Sequence, residues 1–352
     1  MKHTGFLILP FITLTPVMAL NIKLDFLHDE HADRFFATNP QARSAVEKAA
    51  KNLGDILTNS LHQINKDIYS GSNGGTTASF DWSWTYLDPV TGATQVITNP
   101  SIEADTIVIY VGTRAMTDHS LGRGGAGGAI VQLTGAGIPT EWIGAVDAAE
   151  ASSNTSMRRG AGPLINTISG VANYAGYEGK YDLEYGISVG NLWFDADTNN
   201  DGKRDSDTIL SDFWHYDADT PVAAGKTDLY SVALHEIMHV LGAGTSQTWN
   251  AKTDNQNRLG SDSISLAASS KLIADDGYHP FDSLVSQRVN DGLDQSSALS
   301  LGIVPGERKE LTALDLAFLR DLGFDTLDVV PEPSALLLLC FASLAGVWKK
   351  TR

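Results

Sequence analysis

The stretch DLYSVALHEIMHVLG, residues 228–242, most constrains how this 352-residue chain can fold. Asp228, or the threonine before it, is suited to cap a helix that the final glycine ends. The residues between are apolar on nearly every side, which is typical of a helix enclosed in a core. His235, Glu236 and His239 are the ionisable residues that could act on a metal ion in this stretch.

The spacing of these polar residues predicts metal chemistry. Residues four apart lie on one helix face, about 6 Å apart along the axis, so His235 and His239 can bind the same zinc ion. Glu236 points just off that ion, where it can take a proton from water as a general base. The alternative interpretation is an ordinary buried helix with incidental histidines.

A catalytic zinc ion usually takes three protein ligands, and the residues alone leave the third open. Downstream of the helix there is one histidine, His279, and upstream the best rival is His215. Carboxylates are the other choice, either a glutamate as in gluzincins or a nearby aspartate. These carboxylate candidates are Glu307, Glu310, Asp275, Asp276 and Asp282.

The sequence motifs around the helix are similar to those of a known protein family. HEIMHVLG resembles the metzincin-type zinc metalloproteases, although Thr245 stands where their compact signature has a third histidine. TDLYSVALHEIMHVLGAGTSQTW, DDGYH and LTALDLAFLRDLGF together resemble PEP-CTERM-tagged metalloproteases, in which an insertion precedes the third histidine. The resemblance spans most of residues 225–325 and implies that His279 is the third zinc ligand.

The same resemblance implies a zincin-like α+β domain with a mixed twisted sheet, long helices and a smaller C-terminal lobe. One departure is the methionine turn that metzincins carry beneath the zinc. No methionine follows Met238, and Leu299 or Ser300 takes its place in SSALSLGIVPGERKELT.

Both ends of the chain predict export. Residues 1–19 have a basic start, a short apolar run and small residues before a cleavage site, as a signal peptide does. Residues 329–352 contain Pro-Glu-Pro, an apolar segment and a basic end, and resemble the PEP-CTERM sorting signal of Gram-negative bacteria. That resemblance implies signal peptidase and an exosortase-type enzyme as partners, transient membrane anchoring through the tail, and a cell-surface or extracellular destination. An ordinary C-terminal membrane anchor is the alternative.

Composition narrows the class further. The formal net charge of −17 argues against a nucleic-acid partner, which requires a basic face. The one cysteine, Cys340, lies in the tail, so the rest of the chain forms no internal disulfide and must be stabilised by its core and by bound metal ions.

An acidic loop predicts a second metal site. From Asp197 onward, oxygen side chains alternate and a glycine stands at the sixth position, as in an EF-hand-type calcium loop. A solvated acidic turn is the alternative interpretation. The predicted calcium ligands are Asp197, Asn199, Asp201, the carbonyl of Lys203, and Asp207 in place of the usual glutamate.

Between the ends, residues 20–328 form one predicted domain, with an N-terminal lobe to about residue 242 and a C-terminal lobe from about 243. Helical spacing predicts a helix of roughly 25 residues from Asn39. The other predicted elements are a hairpin over 78–97, a central strand over 106–111, a plain glycine-rich loop over 123–128, a strand over 185–194 and a last helix over 312–322.

The sequence thus predicts an exported zinc endopeptidase that cleaves protein or peptide substrates with Glu236 as the general base. Tyr230 and Tyr278 are both candidates for stabilising the oxyanion, and the residues do not choose between them. The alternative is a non-catalytic metal-binding protein of the cell surface or biofilm matrix that keeps the protease fold for adhesion.

Overall fold

The computed structural model describes residues 19–253, 257–269 and 271–327. The predicted signal peptide, apart from its last residue, and the predicted sorting tail lie outside the described residues. Within the described ranges, no helix is long and apolar enough to cross a membrane.

Helices and strands are mixed along the chain, which confirms the predicted α+β class. The helices are α1 (Leu27–His31), α2 (Phe35–Thr38), α3 (Pro40–Gly54), α4 (Trp142–Met157), α5 (Asp207–Phe213), α6 (Leu229–Val240), α7 (Gln247–Lys252), α8 (Ser261–Ala267) and α9 (Ala313–Leu322). The strands are β1 (Asn21–Asp25), β2 (Tyr69–Asn73), β3 (Thr76–Leu87), β4 (Thr94–Thr98), β5 (Thr106–Arg114), β6 (Gly122–Ala126), β7 (Gly128–Ala136), β8 (Leu164–Tyr174), β9 (Tyr177–Gly186), β10 (Val189–Asp195), β11 (Trp214–His215), β12 (Thr227–Asp228), β13 (Val285–Gln287) and β14 (Asp294–Ser296).

A four-stranded mixed sheet in the order β1-β5-β10-β6 forms the centre of the fold. The first three strands are parallel, and β6 runs antiparallel to β10 at the edge. The predicted central strand is confirmed, because β5 lies inside the sheet with Ile107, Ile109 and Val111 fully buried. Such a run of β-branched residues is expected where both faces of a strand are covered.

A second antiparallel sheet is built around β3, which pairs with β2, β4 and β7. The predicted hairpin over 78–97 is confirmed as β3 and β4. Along β3 buried and partly exposed residues alternate, so this sheet has one face in the core and one towards solvent. Helix α4 packs on the buried side, against β2, β3 and β9.

Helix α6 is enclosed on all sides, and each of its 12 residues is buried. It packs against α3 and against β6 and β10 of the central sheet. The Asp228 side chain caps its start by accepting from the backbone of Ser231, as predicted. At its other end Gly242 has a φ of 105°, a left-handed conformation that glycine adopts without strain.

The predicted 25-residue helix is wrong in length, because α3 ends at Gly54 after 15 residues. A Cβ at Gly54 would lie 2.4 Å from the backbone oxygen of Leu20, so the helix end meets another chain segment there. Leu57 and Ile64 then pair with Thr326 and Ile102 in isolated bridges. Leu57 and Ile64 are buried as predicted, but they lie outside the helix. Their spacing along the chain is the same as in a helix, so the local sequence does not reveal the difference.

The predicted strand over 185–194 is wrong as a single element. Strand β9 ends at Gly186, and β10 begins at Val189 in a different sheet. A Cβ at Gly186 would lie 2.7 Å from the backbone oxygen of Arg158, so the chain passes close to that residue as it changes sheets.

The glycine-rich stretch 123–128 is not the plain loop that was predicted. It forms most of β6 and the start of β7. A Cβ at Gly124 would lie 2.0 Å from the backbone oxygen of Glu236, which shows how closely this edge strand approaches α6. The glycines therefore serve a close backbone approach rather than flexibility.

The last helix, α9, is confirmed where it was predicted. Thr312 caps it in a capping box with Asp315, and Gly323 ends it with a φ of 102°. The helix packs against α8 and β13.

Candidate metal centre

Three histidines converge at the C-terminal half of α6. The Nε2 atom of His239 lies 3.2 Å from Nε2 of His235 and 3.1 Å from Nε2 of His279. All three ligand atoms lie within 4.8 Å of one another. The structure therefore brings together the helix pair and the one downstream histidine, which is separated from His239 by 40 residues.

The second nitrogen of each ring shows which atoms are free for a ligand. Each Nδ1 faces an oxygen that can only accept, so each Nδ1 carries a hydrogen, and in the neutral ring this leaves the Nε2 lone pair free to bind a metal ion. His235 donates to Ala298 O at 3.0 Å, His239 to Ala243 O at 2.8 Å, and His279 to the Asp276 carboxylate at 2.7 Å. Three lone pairs thus point at one another.

This arrangement fits a bound zinc ion. In a neutral cluster three facing lone pairs repel, and a cation between them removes the repulsion. Zinc–nitrogen distances of about 2.0–2.1 Å and tetrahedral angles place ligand nitrogens about 3.3 Å apart. The observed separations of 3.1 and 3.2 Å are close to that value. Oxygen-bound partners on every Nδ1 are also the usual surroundings of metal-binding histidines.

Burial keeps the helix histidines in the neutral form that binds metal. It lowers the pKa of His235 well below the ordinary value, and repulsion from His239 and His279 lowers it further. Burial likewise lowers the pKa of His239 to about 4. At neutral pH neither proton competes with a metal ion.

Glu236 lies beside the cluster but outside it. Its side chain is buried, and one carboxylate oxygen accepts a 2.6 Å hydrogen bond from the backbone of Gly124 in β6. Burial raises its pKa to about 8, against the opposing effects of that hydrogen bond and of Arg123. A dication held by the histidines would favour the ionised form. The hydrogen bond from Gly124 fixes the Glu236 carboxylate at the wall of the site.

The turn after α6 shows why Thr245 is not needed as a ligand. Its hydroxyl donates to the backbone oxygen of His239 at 2.8 Å, so it satisfies a carbonyl at the helix end. Gly244 has a φ of 72°, and a Cβ there would lie 3.0 Å from Tyr278 O and 3.2 Å from the ring of His239. The glycine turn thus makes room for the segment that returns with the third histidine.

Asp276 positions that returning histidine. One oxygen accepts from the backbones of Tyr278 and His279, at 2.9 and 3.1 Å, while the other accepts from the His279 ring. Burial opposes ionisation of Asp276, but these hydrogen bonds outweigh it and lower its pKa. Trp249 fixes the same turn by donating to Gly277 O at 2.8 Å.

A buried turn at residues 297–300 supports the other side of the site. It lies in SSALS, residues 296–300, where the sequence predicted a replacement for the methionine turn, and Leu299 in it is fully buried. Ala298 supplies the carbonyl that orients His235. Lys309 closes the turn from the far side, because its ammonium donates to Ser297 O and to Ser300 O at 3.2 and 3.1 Å.

The Asp315 carboxylate, fully buried at the start of α9, holds this turn in place. It accepts from the backbones of Ala298 and Leu299, at 2.9 and 3.2 Å, and from the Ser297 hydroxyl. It also accepts from the backbone of Thr312 at 2.8 Å in the capping box. One carboxylate therefore joins a helix cap to the carbonyl behind a histidine ligand.

The other candidates for a third ligand lie outside the histidine cluster. Glu310 accepts from the Tyr230 hydroxyl at 2.8 Å, and Asp282 accepts from the backbone of Gly302 at 2.9 Å. His215 faces Thr220 at 3.5 Å. The candidates that do not join the cluster are His215, Asp275, Asp276, Asp282, Glu307 and Glu310.

A cavity of about 930 Å³ opens over the histidines and is called the histidine cavity below. β6 forms one wall, and the segment over 301–303 forms another. Tyr278 lines it with an exposed side chain. Tyr230, in contrast, is buried elsewhere and bonded to Asn52 and Glu310. Of the two tyrosines predicted for the oxyanion, only Tyr278 can face a substrate here.

Four of the five predicted calcium ligands lie in residues 197–203, and hydrogen bonds fold this loop around Asp197. The buried Asp197 carboxylate accepts from the backbones of Asp201 and Gly202, at 2.9 and 2.7 Å. Asn199 accepts from the backbone of Asp201 at 3.0 Å, and Asp201 from that of Lys203 at 2.9 Å.

The fifth, Asp207, begins α5 and pairs with Arg204 at 3.0 Å. Asp205, which the sequence did not single out, accepts from the backbone and hydroxyl of Thr198, at 2.7 and 2.6 Å. The calcium site stays a prediction.

Sequence reasoning missed the groups that orient the ligands. Ala243 and Ala298 act through backbone oxygens, which carry no residue-type signal. The amide of Gly124 acts across two elements that are 112 residues apart. Asp315 had a readable signal as the third residue of a capping box, but nothing local indicates its second contact with the 297–300 turn.

Comparison with known proteins returned no match: no family model, curated protein or solved structure is similar to this chain.

Proposed function

We propose that this protein is an exported zinc-dependent endopeptidase of zincin-like, metzincin-related fold. The observation that carries the proposal is the convergence of three Nε2 lone pairs on one point, with a buried glutamate beside them. Three histidines whose ring nitrogens face one another, next to a potential general base, are the minimal equipment for metal-assisted hydrolysis.

His235, His239 and His279 would hold the zinc ion. A zinc ion held there supplies a Lewis acid that acidifies water and polarises a peptide carbonyl. Glu236 takes the proton from the attacking water and passes it to the leaving amine, because its carboxylate lies at the wall of the same cavity. The amide of Gly124 holds that carboxylate in place, and the Tyr278 hydroxyl can stabilise negative charge on the carbonyl oxygen.

Two features of the site favour hydrolysis of a polymer over storage of a metal ion. The histidine cavity is open and large enough for several residues of a peptide. β6 is the last strand in the order of its sheet, and no described strand pairs with its outer edge. An extended peptide can therefore add to that edge as another strand, next to the histidines.

The proposed export and sorting rest on the two chain ends. The signal-like segment and the PEP-CTERM-like tail support a cell-surface or extracellular destination, with signal peptidase and an exosortase-type enzyme as processing partners. The absence of disulfides from residues 20–328 means that an exported domain depends on its core and its metal.

The test combines zinc content with hydrolysis of a labelled casein by the purified chain. We expect one zinc per chain in both the wild type and Glu236→Ala. The rate of casein cleavage should be at least 10²-fold lower in Glu236→Ala than in the wild type. Stoichiometric zinc with no Glu236-dependent cleavage would contradict the enzyme and support the non-catalytic surface protein instead.

The ligand assignment has its own matched pair of variants. His279→Ala should lose zinc, whereas His215→Ala, the best upstream rival, should keep it. Full zinc in His279→Ala would show that another group completes the site.

A further inference from the structure

A second cavity, of about 460 Å³, lies on the face of the central sheet that points away from α6. Arg123 in β6 is paired with Trp193 in β10, and residues opposite each other in a sheet point to the same face. The neighbouring Gly124 points the other way, towards α6. Arg114, at the end of β5, lines the same cavity. We call it the arginine cavity.

The Arg114 guanidinium is held but not neutralised. It stacks on Trp193, with 4.1 Å from the central carbon to the ring centroid. Among the described residues, no carboxylate lies within 4.0 Å of it. Asp88 attracts it from farther away, but that carboxylate is engaged with His28 at 3.1 Å. Partial burial lowers the pKa of Arg114, and repulsion by Arg123 lowers it further.

Arg123 connects the arginine cavity to the histidine cavity. It forms an ion pair with Asp118 and, with Gly124, lines both cavities. Arg123 also repels Arg114, and both arginines line the arginine cavity. Asp118 acts on Arg123 and Asp88 on Arg114, but neither carboxylate lines the arginine cavity. The charged residues that line it are therefore both positive, in a chain whose formal net charge is −17.

A peptide added to the free edge of β6 would present its side chains alternately to the two faces of the sheet. Side chains on one face would enter the histidine cavity beside α6. Those on the other face would reach Arg123 and Arg114. The planar guanidinium groups are suited to bidentate contact with a carboxylate.

We propose that the arginine cavity binds a carboxylate of the peptide substrate, namely the side chain of an aspartate or glutamate next to the residues at the histidine site. This proposal rests on the proposed function, because it assumes that a peptide occupies the edge of β6. It makes the protein selective for acidic segments of its substrates.

Binding of peptides to the zinc-loaded Glu236→Gln variant, measured by isothermal titration calorimetry, tests this without requiring cleavage. A peptide with glutamate scanned along its length is compared with the same peptide carrying glutamine. At one or two positions we expect glutamate to bind roughly tenfold more tightly, as one charge-assisted contact permits. Adding Arg114→Gln should abolish that preference without weakening the glutamine peptide.

Arg288→Gln is the matched control, since Arg288 is an arginine paired with Asp291 outside both cavities. It should keep the preference for glutamate. Arg114→Glu should reverse the preference in favour of a lysine peptide. C-terminally amidated peptides form a further arm: if only peptides with a free C-terminus bind tightly, the carboxylate is terminal and the side-chain assignment is overturned.

Equal binding of glutamate and glutamine peptides at every position overturns the proposal, as does a preference that survives Arg114→Gln. The wild-type casein assay stays independent of this result. Loss of selectivity with casein cleavage intact contradicts the arginine cavity alone. Selective binding without any cleavage contradicts the peptidase and leaves the carboxylate site.

Discussion

The histidine cluster and the acidic loop at 197–207 are both rich in metal-ligating residue types, but their donor atoms face different groups. In the cluster every Nδ1 is bound to an oxygen and every Nε2 faces another Nε2. In the loop the carboxylate of Asp197 faces backbone amides instead. Similar residue types at suitable spacing thus differ in what their donor atoms face, and only in the histidine cluster do unshared donor atoms face one another.

Removal of zinc should have the largest effect on stability, and it tests directly whether the histidine cluster and the acidic loop differ in metal binding. Zinc that binds only the folded chain stabilises it by about 4 kcal/mol at a free concentration 1,000 times the dissociation constant. We expect a chelator to lower the midpoint of thermal unfolding by several degrees, and zinc to restore it. Calcium added to the stripped protein should restore less. Equal recovery with calcium would contradict a zinc-selective cluster.

Asp315→Asn tests whether the supporting turn acts on the metal. The amide cannot accept all of the hydrogen bonds from Ser297, Ala298 and Leu299, so the carbonyl behind His235 should shift. We expect zinc affinity to fall about 10–100-fold, as for other groups that orient a ligand, in a competition titration with a zinc chelator.

Asp321→Asn is the control for a general loss of stability. Asp321 lies in the same helix, is buried, and accepts from the backbones of Asp262 and Ser263, at 3.1 and 2.9 Å. It should destabilise the fold while leaving zinc affinity unchanged. An equal loss of zinc affinity in both variants would show that Asp315 affects the metal site only through the stability of the fold.

Gly124→Ala tests the close approach of β6 to α6. The new methyl group would overlap the backbone oxygen of Glu236, so strand or helix must move. We expect a loss of about 1–3 kcal/mol in the free energy of unfolding, from denaturant titration, together with reduced casein cleavage. Gly125→Ala is the neighbour for comparison, because its nearest contact would be Asn191 at 3.9 Å. Similar losses in the two variants would count against the close approach.

Asp201→Ala, which removes the oxygen ligand, should have the smallest effect and tests the acidic loop. If calcium binds there, adding it should raise the unfolding midpoint of the wild type by about 2 °C, which is typical of a stabilisation of up to 1 kcal/mol in a domain of this size. The variant should lose that response while its zinc response stays intact. No calcium response in the wild type would leave the loop as a solvated acidic turn.

Much of the site was readable from sequence because its signals are local. The caps of α6 and α9, the histidine pair and the hairpin at β3 and β4 all follow from residues within a few positions of one another. The errors arose where distant segments decide the outcome. Gly54 ends α3 against Leu20, and Gly124 joins a strand because α6 lies beneath it.

The sequence by itself determined a buried helix that carries two histidines and a glutamate, since periodicity and capping are properties of short segments. Only the tertiary structure decided which distant groups meet that helix. It brought His279 across 40 residues, placed Ala298 and Asp315 behind His235, and pressed Gly124 against Glu236. These contacts depend on the path of the whole chain and on backbone atoms that every residue shares, which is why no residue pattern predicts them.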